Sequence, residues 1–285
     1  MAHLIAATVV ALWGTTFVSS KVLLNAGLMP ADIFFFRFLM AYVLMLAFSH
    51  RRLLAHTLQD ELAFLVLGMM GGSMYFLTEN MALQHTAASN VSILISSTPM
   101  LTALLVGTFY RKERLSRRQI FGSLLAFGGM ALVVLNGQLV LRLNPLGDAL
   151  AFLSALTWAL YSLFITVVKN RYSPDFITRK VFFYGLLTIL PYFHFVHPLS
   201  LDLQLLSRPV VWGNLLFLGL LASTGAYLVW NWALARLGTV RATNYIYAQP
   251  LVTMLFAVAV LGERITPMAL VGMAVLILGM TRVNA

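Results

Sequence analysis

The chain has 285 residues, 60% of them hydrophobic and only 10% charged, whereas a soluble domain carries about a quarter charged residues, so a water-soluble globular protein is excluded. The absence of cysteine removes disulfides and thiolate metal sites. The formal net charge of +10 lies in short gaps between apolar runs, which reads as membrane topology and not as nucleic-acid binding.

A bilayer crossing takes about 20 mostly apolar residues. In chain order such stretches fall near 4–26, 31–49, 61–83, 88–110, 117–137, 145–168, 176–195, 210–235, 241–261 and 266–282. The first is too long for the core of a signal peptide, carries Lys21 near its end and runs at once into the second. The predicted fold is an all-α membrane protein of ten transmembrane helices joined by short links. Lys and Arg orient it. One set of links, with Arg282, holds fourteen of them, including Arg51, Arg52, Arg111, Lys112, Arg114, Lys169 and Arg171. The opposite links hold three: Arg142, Arg208 and Arg264. This asymmetry predicts that both termini are cytoplasmic.

The sequence repeats itself. Residues 95–102, ISSTPMLT, return at 246–253 as IYAQPLVT. At the same shift of 151 Asn80 falls on Asn231; downstream, at a shift of 150, Glu113 falls on Glu263, Gly122 on Gly272 and Gly129 on Gly279; and upstream Trp13 falls on Trp158. The chain therefore reads as two five-helix units, 1–140 and 141–285. Because five is odd, the two copies cross in opposite directions, an inverted repeat with two related gates around a site near the midplane.

On "ALWGTTFVSSKVLL", "ENMALQHTAASNVSILISSTPMLTALL" and its echo "WNWALARLGTVRATNYIYAQPLVTMLF", the chain resembles the drug/metabolite transporter superfamily, in its ten-helix EamA group. The resemblance implies export or exchange of a small metabolite by alternating access and does not imply which one; the leading expectation is an amino acid or related compound moved outward across a bacterial inner membrane. The resemblance implies no cofactor. No GxxxxGK[ST] motif supports ATP-driven pumping, which leaves a proton gradient, exchange or the substrate's own gradient as the energy source. Two other readings stay open: a flippase of the same fold moving lipid or lipid-linked cargo, and an intramembrane transferase. The transferase would need several convergent catalytic groups, and one acid, Glu79, lies clearly inside a span.

Candidate site residues follow from what is costly in a bilayer. Pro99 and Pro250 interrupt the fourth and ninth spans at matching depth and read as hinges, since a proline frees a carbonyl that needs a donor or a wet cavity. Ser92 and Ser96 on one helix, and Thr243 and Tyr247 on the other, form polar stripes beside them. Trp13, Tyr75, Tyr161, Trp230 and Tyr245 are candidate cavity walls, with Asn80, Asn231 and Gln249 supplying amides. Lys21, Arg37 and Glu79 are charges inside spans, each costing at least ~2.5 kcal/mol at mid-bilayer. They are expected to cluster within roughly 10 Å of the outer face, either as a structural ion network or as substrate and proton-coupling groups. Glu113 and Glu263 look structural, with Arg114 and Arg264 as partners. His85, His194 and His197 lie near outer ends and are read as lacking a second ligand at metal spacing, so no metal site is expected. Expected partners are a small-molecule substrate, protons and the lipid bilayer, not nucleic acid, with the chain a monomer or homodimer.

Overall fold

The computed structural model describes residues 1–50, 52–109, 117–135, 144–263 and 267–284. Arg51, Arg111, Lys112, Glu113, Arg114, Arg142 and Arg264 lie outside the described residues, and with them the expected Glu113–Arg114 and Glu263–Arg264 pairings.

Among the described residues every regular element is helical. The long helices are α1 (Ala2–Ala26), α2 (Pro30–Phe48), α3 (Leu58–His85), α4 (Ala88–Phe109), α5 (Arg117–Leu135), α6 (Pro145–Val168), α7 (Pro174–Phe195), α8 (Pro209–Leu237), α9 (Thr239–Leu261) and α10 (Pro267–Asn284). Seven of these, α1–α4, α6, α8 and α9, are long and apolar enough to cross a membrane. Of the other three, α7 carries Asp175, Arg179 and Lys180 in its opening turns.

Local chemistry sets the ends. Gly27 closes α1 in the left-handed region at φ 111°, with Leu28 N–H returning to the Leu23 carbonyl, a geometry glycine adopts without steric cost. Pro30 then opens α2, where its missing N–H is harmless. Thr57 caps α3 by accepting from Asp60 N–H at 3.1 Å, and Asn144 caps α6 by accepting from Gly147 N–H at 3.1 Å.

The irregular backbone falls at the two prolines. α4 breaks at Ser96–Ser97, just ahead of Pro99, and α9 tightens to a 3-10 segment over Asn244–Ala248, just ahead of Pro250. The hydroxyls act locally: Ser96 donates to Ile93 O at 2.7 Å and Ser97 to Leu94 O at 2.8 Å. In α9 the carbonyl that Pro250 cannot engage, that of Ile246, is taken by Gln249 N–H. A second irregularity was not anticipated from the sequence. α3 widens to a π-helix over Met69–Ser73 and α8 does so over Phe217–Gly225. These segments occupy corresponding places in the repeat register, and π-bulges concentrate at functional sites.

α1 runs through the middle of the bundle against α3, α4, α8 and α9. Its approach to α9 needs Gly14: a Cβ there would lie 2.8 Å from Val252 Cβ and 3.0 Å from Gln249 O. Thr253 closes the contact by donating to Gly14 O at 2.8 Å. α5 and α10 pack on each other at least as closely. A Cβ on Gly279 would meet Ala126 Cα and Gly122 O at 2.7 Å, and one on Gly129 would meet Gly272 O at 2.6 Å. Small residues permit such approach where lipid supplies no hydrophobic drive for helix association.

Candidate functional site

Arg37, midway along α2, is 1% exposed. Its guanidinium lies 4.1 Å over the Phe76 ring, and its Nε donates to Ser223 Oγ at 3.0 Å. Ser223 belongs to the π-helical segment of α8, so that irregularity helps seat the cation. Glu79, on α3, is also 1% exposed, with Arg37 and Tyr75 as the polar groups acting on it. The two opposite charges face the same interior without joining. Among the described residues the ion pairs are Arg171–Asp60 and Lys180–Glu61, and Arg37–Glu79 is not one. Arg37 Nη1, Glu79 Oε1 and Gln249 Oε1 are buried with no hydrogen-bond partner. Buried polar atoms are almost always satisfied by protein or water, so three unsatisfied ones around one space make it the candidate site.

That space is a cavity lined by residues of α1, α2, α3, α4, α6, α8 and α9. Its polar groups are Arg37, Glu79, Gln249, Thr16 and Thr98, and its walls are Trp13, Tyr75, Phe76, Trp158 and Tyr227. The rings brace one another edge to face, Trp13 against Trp158 with centroids 5.3 Å apart and against Tyr227 at 5.7 Å. Only about 20 Å³ remains free inside, enough for one water. Nothing much larger than a water fits in the cavity as it stands.

The π-helical segments also hold the aromatic walls. Trp13 Nε1 donates to Ala222 O at 2.9 Å, and Tyr227 OH donates to Gly71 O. Gly71 and Ala222 are corresponding positions in the repeat register, so each widened helix lends one carbonyl to one cavity aromatic. Trp13→Phe keeps most of the ring packing but leaves the Ala222 carbonyl without its donor. An unsatisfied buried acceptor costs roughly 1–3 kcal/mol, so the variant should melt several degrees below wild type in detergent.

Of the residues singled out in the sequence, Trp13, Tyr75, Arg37, Glu79 and Gln249 meet at this cavity. The expected cluster of three charges divides. Lys21 lies apart from Arg37 and Glu79, with its Nζ on the carbonyls of Leu83 and, at 3.2 Å, Thr86. Asn80 donates to Pro30 O at 3.1 Å. Tyr161 donates to Asn231 Oδ1 at 2.7 Å, and Asn231 donates in turn to Thr178 at 2.8 Å. Trp230 packs on Trp13 with centroids 5.1 Å apart. Ser92 is buried without a partner. Ser96 and Thr243 bond to carbonyls of their own helices. Tyr245 pairs with His3 at 2.7 Å, and Tyr247 packs with Ala126, Met254 and Leu276. Phe76, Tyr227 and Ser223 were not foreseen. The hint to them was the small residues of MMGGS and LLASTG, which mark where helix walls thin.

Comparison with known proteins adds a second line. The model of a family described as "EamA-like transporter family" matches residues 1–135 and again 145–285. An Archaeoglobus fulgidus protein named only as an uncharacterized transporter is 30% identical, over 92% of this chain and 90% of its own. A probable terminal-alkyne amino-acid exporter from Streptantibioticus cattleyicolor is 29% identical, over 76% of this chain and 71% of its own. A probable amino-acid metabolite efflux pump of Salmonella typhimurium is 26% identical, over 97% and 92%. A solved crystal structure shares the fold with a TM-score of 0.72 at 19% identity, covering 99% of this chain and 97% of that one.

Proposed function

The chain belongs to the EamA-like transporter family, and on that premise we propose that it carries a small zwitterionic metabolite of the amino-acid class across a bacterial inner membrane by alternating access. One observation carries this reading: Arg37 and Glu79 face a single aromatic cavity, unpaired with each other and each holding an unpartnered polar atom. A cation and an anion kept apart at low dielectric suit a ligand that bears both charges, since a buried charge is stable only when paired and hydrogen-bonded. The ligand's carboxylate would take the Arg37 fork, which is shaped for carboxylates. Its ammonium would take Glu79 and the Gln249 amide oxygen, and its side chain would lie against Trp13, Trp158 and Tyr75.

The proposal includes the architecture. The long helices are ten crossings in two inverted units, 1–140 and 141–285, with both termini cytoplasmic. Support comes from the sequence repeat, from the paired helix breaks at Ser96–Ser97 and Asn244–Ala248, and from the paired π-helical segments. The prolines are the hinges about which α4 and α9 bend as the cavity opens. Outward movement is proposed from the relatives named as exporters.

The test is efflux from proteoliposomes loaded with individual amino acids and nucleobases, with and without a pH gradient. At least one amino acid should leave faster than from protein-free liposomes, and a nucleobase should not. If Glu79→Gln retains measurable efflux but loses the acceleration by the gradient that wild type shows, Glu79 carries the coupled proton. Efflux of nucleobases alone would overturn the zwitterion reading.

A further inference from the structure

α2 and α7 pack together, and a second cavity, of about 190 Å³, opens between them at the end of the bundle that carries the α2–α3 link. It shares no lining residue with the central cavity. Tyr42 on α2 and Phe183 on α7 form its sides, with ring centroids 5.7 Å apart, and Leu53 and Leu54 of the link complete the wall. Arg179 and Lys180, near the start of α7, also line it, although they are only 2% and 3% exposed.

The charges around this space do not balance. Three acids lie on neighbouring turns, and each is already engaged. Glu61 takes Lys180 Nζ at 2.7 Å on both of its oxygens and accepts from the Tyr184 hydroxyl. Asp60 pairs with Arg171 at 2.7 Å and accepts from the Tyr172 hydroxyl at 2.7 Å. Asp175 accepts from Ser49 Oγ at 2.8 Å. Lys180 is thereby neutralised and Arg179 is not. The two amino groups of Arg179 donate to the carbonyls of Ser49 and Arg52, and among the described residues no carboxylate pairs with it. Arg52, exposed beside Leu53, is in the same position: its Nε donates to Leu54 O at 3.1 Å and its Nη1 to His56 Nε2. A buried cation is costly without an anion beside it, and the guanidinium fork matches phosphate oxygens.

What leads away from the cavity is apolar and uncovered. Leu39 and Val43 on α2, and Phe183, Leu187 and Leu190 on α7, are between 37% and 60% exposed and recur at the three- and four-residue spacing of one helix face. Cations without anions at one end of an uncovered apolar track complement a phosphate that carries hydrocarbon chains. We propose that the α2–α7 cavity binds an anionic phospholipid, its phosphodiester held by Arg179 and Arg52 and its acyl chains lying along the exposed faces of α2 and α7. The site is distinct from the one that holds Arg37 and Glu79 and does not depend on the cargo.

The test titrates full-length protein in detergent micelles with phosphatidylglycerol and, separately, with phosphatidylcholine of the same chains, and counts bound lipid by native mass spectrometry. Phosphatidylcholine keeps the phosphate but adds an ammonium, which the surrounding cations disfavour. Wild type should take up its first phosphatidylglycerol at a concentration roughly tenfold lower than its first phosphatidylcholine, and Arg179→Gln should erase that preference. If Arg179→Gln fails to fold, Leu54→Trp replaces it. Leu54 is 70% exposed, so the larger ring is tolerated, and it fills the cavity with Arg179 in place. It too should erase the preference. Inorganic phosphate in excess should leave the lipid bound. Displacement by phosphate alone would assign the cavity to a soluble anion and overturn the proposal. Equal binding of the two lipids by wild type, or an undiminished preference in either folded variant, would overturn it as well. No cargo enters the experiment, so an efflux panel on which nothing moves would count against the transport reading and leave the lipid result standing.

Discussion

Arg37→Gln is expected to lower cargo flux in proteoliposomes by roughly two orders of magnitude and to lower the melting temperature as well. The two losses have different origins. Removing the guanidinium takes away the group proposed to bind the cargo's carboxylate. It also leaves Glu79 buried with no opposing charge in its cavity, and breaking a buried charge arrangement by deleting one member costs roughly 3–5 kcal/mol. The double variant Arg37→Gln with Glu79→Gln separates them. Two neutral amides of similar size refill the cavity, and replacing both members of a buried charged pair is often neutral for stability. The melting temperature should therefore recover while flux stays lost. If flux recovered together with stability, the two charges would be structural, and zwitterion binding would have to be abandoned.

The second large effect concerns packing. Gly128 and Gly129 are adjacent on α5, yet a Cβ on Gly128 would meet nothing within 4 Å, while one on Gly129 would run into the α10 backbone at Gly272 and Leu276. Gly129→Leu should force the α5–α10 pair apart. Overpacking that cannot be relieved by a side-chain rotation costs roughly 3 kcal/mol or more, which corresponds to a fall of roughly 10 °C in a chain of this size. Gly128→Leu should stay within about 0.5 kcal/mol of wild type, as surface substitutions do. Thermal melts of the two variants side by side decide the point, and equal destabilisation would contradict the close approach of α5 to α10.

Much of the architecture was legible because membrane chemistry writes it plainly. Runs of apolar residues mark the helices, and prolines mark the breaks in α4 and α9. The charged residues at the proposed inner face were read as topology signals, and the structure gives several of them partners. Arg171 pairs with Asp60 at 2.7 Å and Lys180 with Glu61 at 2.7 Å, while Arg179 reaches the carbonyls of Ser49 and Arg52. These join α7 and its preceding link to the α2–α3 connection and the first turn of α3, a long-range pairing that no local spacing announces. The site was only partly legible. Arg37 and Glu79 stood out because burying a charge in lipid is costly. Lys21 stood out for the same reason, and depth alone could not tell that its amine turns to the α3–α4 hairpin and away from the cavity. Ser96, Thr243 and Asn231 looked like cavity groups because they are polar and deep, whereas each is used up by a neighbouring carbonyl or side chain. The π-helical turns had no clear signature, since a widened turn depends on which carbonyl finds an outside donor, here Trp13 and Tyr227 from distant helices.

The measurement that bears most directly on the zwitterion cavity is transport of three labelled analogues by wild-type protein: an amino acid that the efflux panel identifies, the amine left when its carboxylate is removed, and the acid left when its ammonium is removed. With Arg37 and Glu79 each needing a partner, the intact amino acid should move and both truncated analogues should fail, each leaving one buried charge exposed to an empty cavity. Equal transport of either truncated analogue would show that one of the two charges takes no part in recognition, and the cavity would then have to be reassigned to a ligand with a single charge.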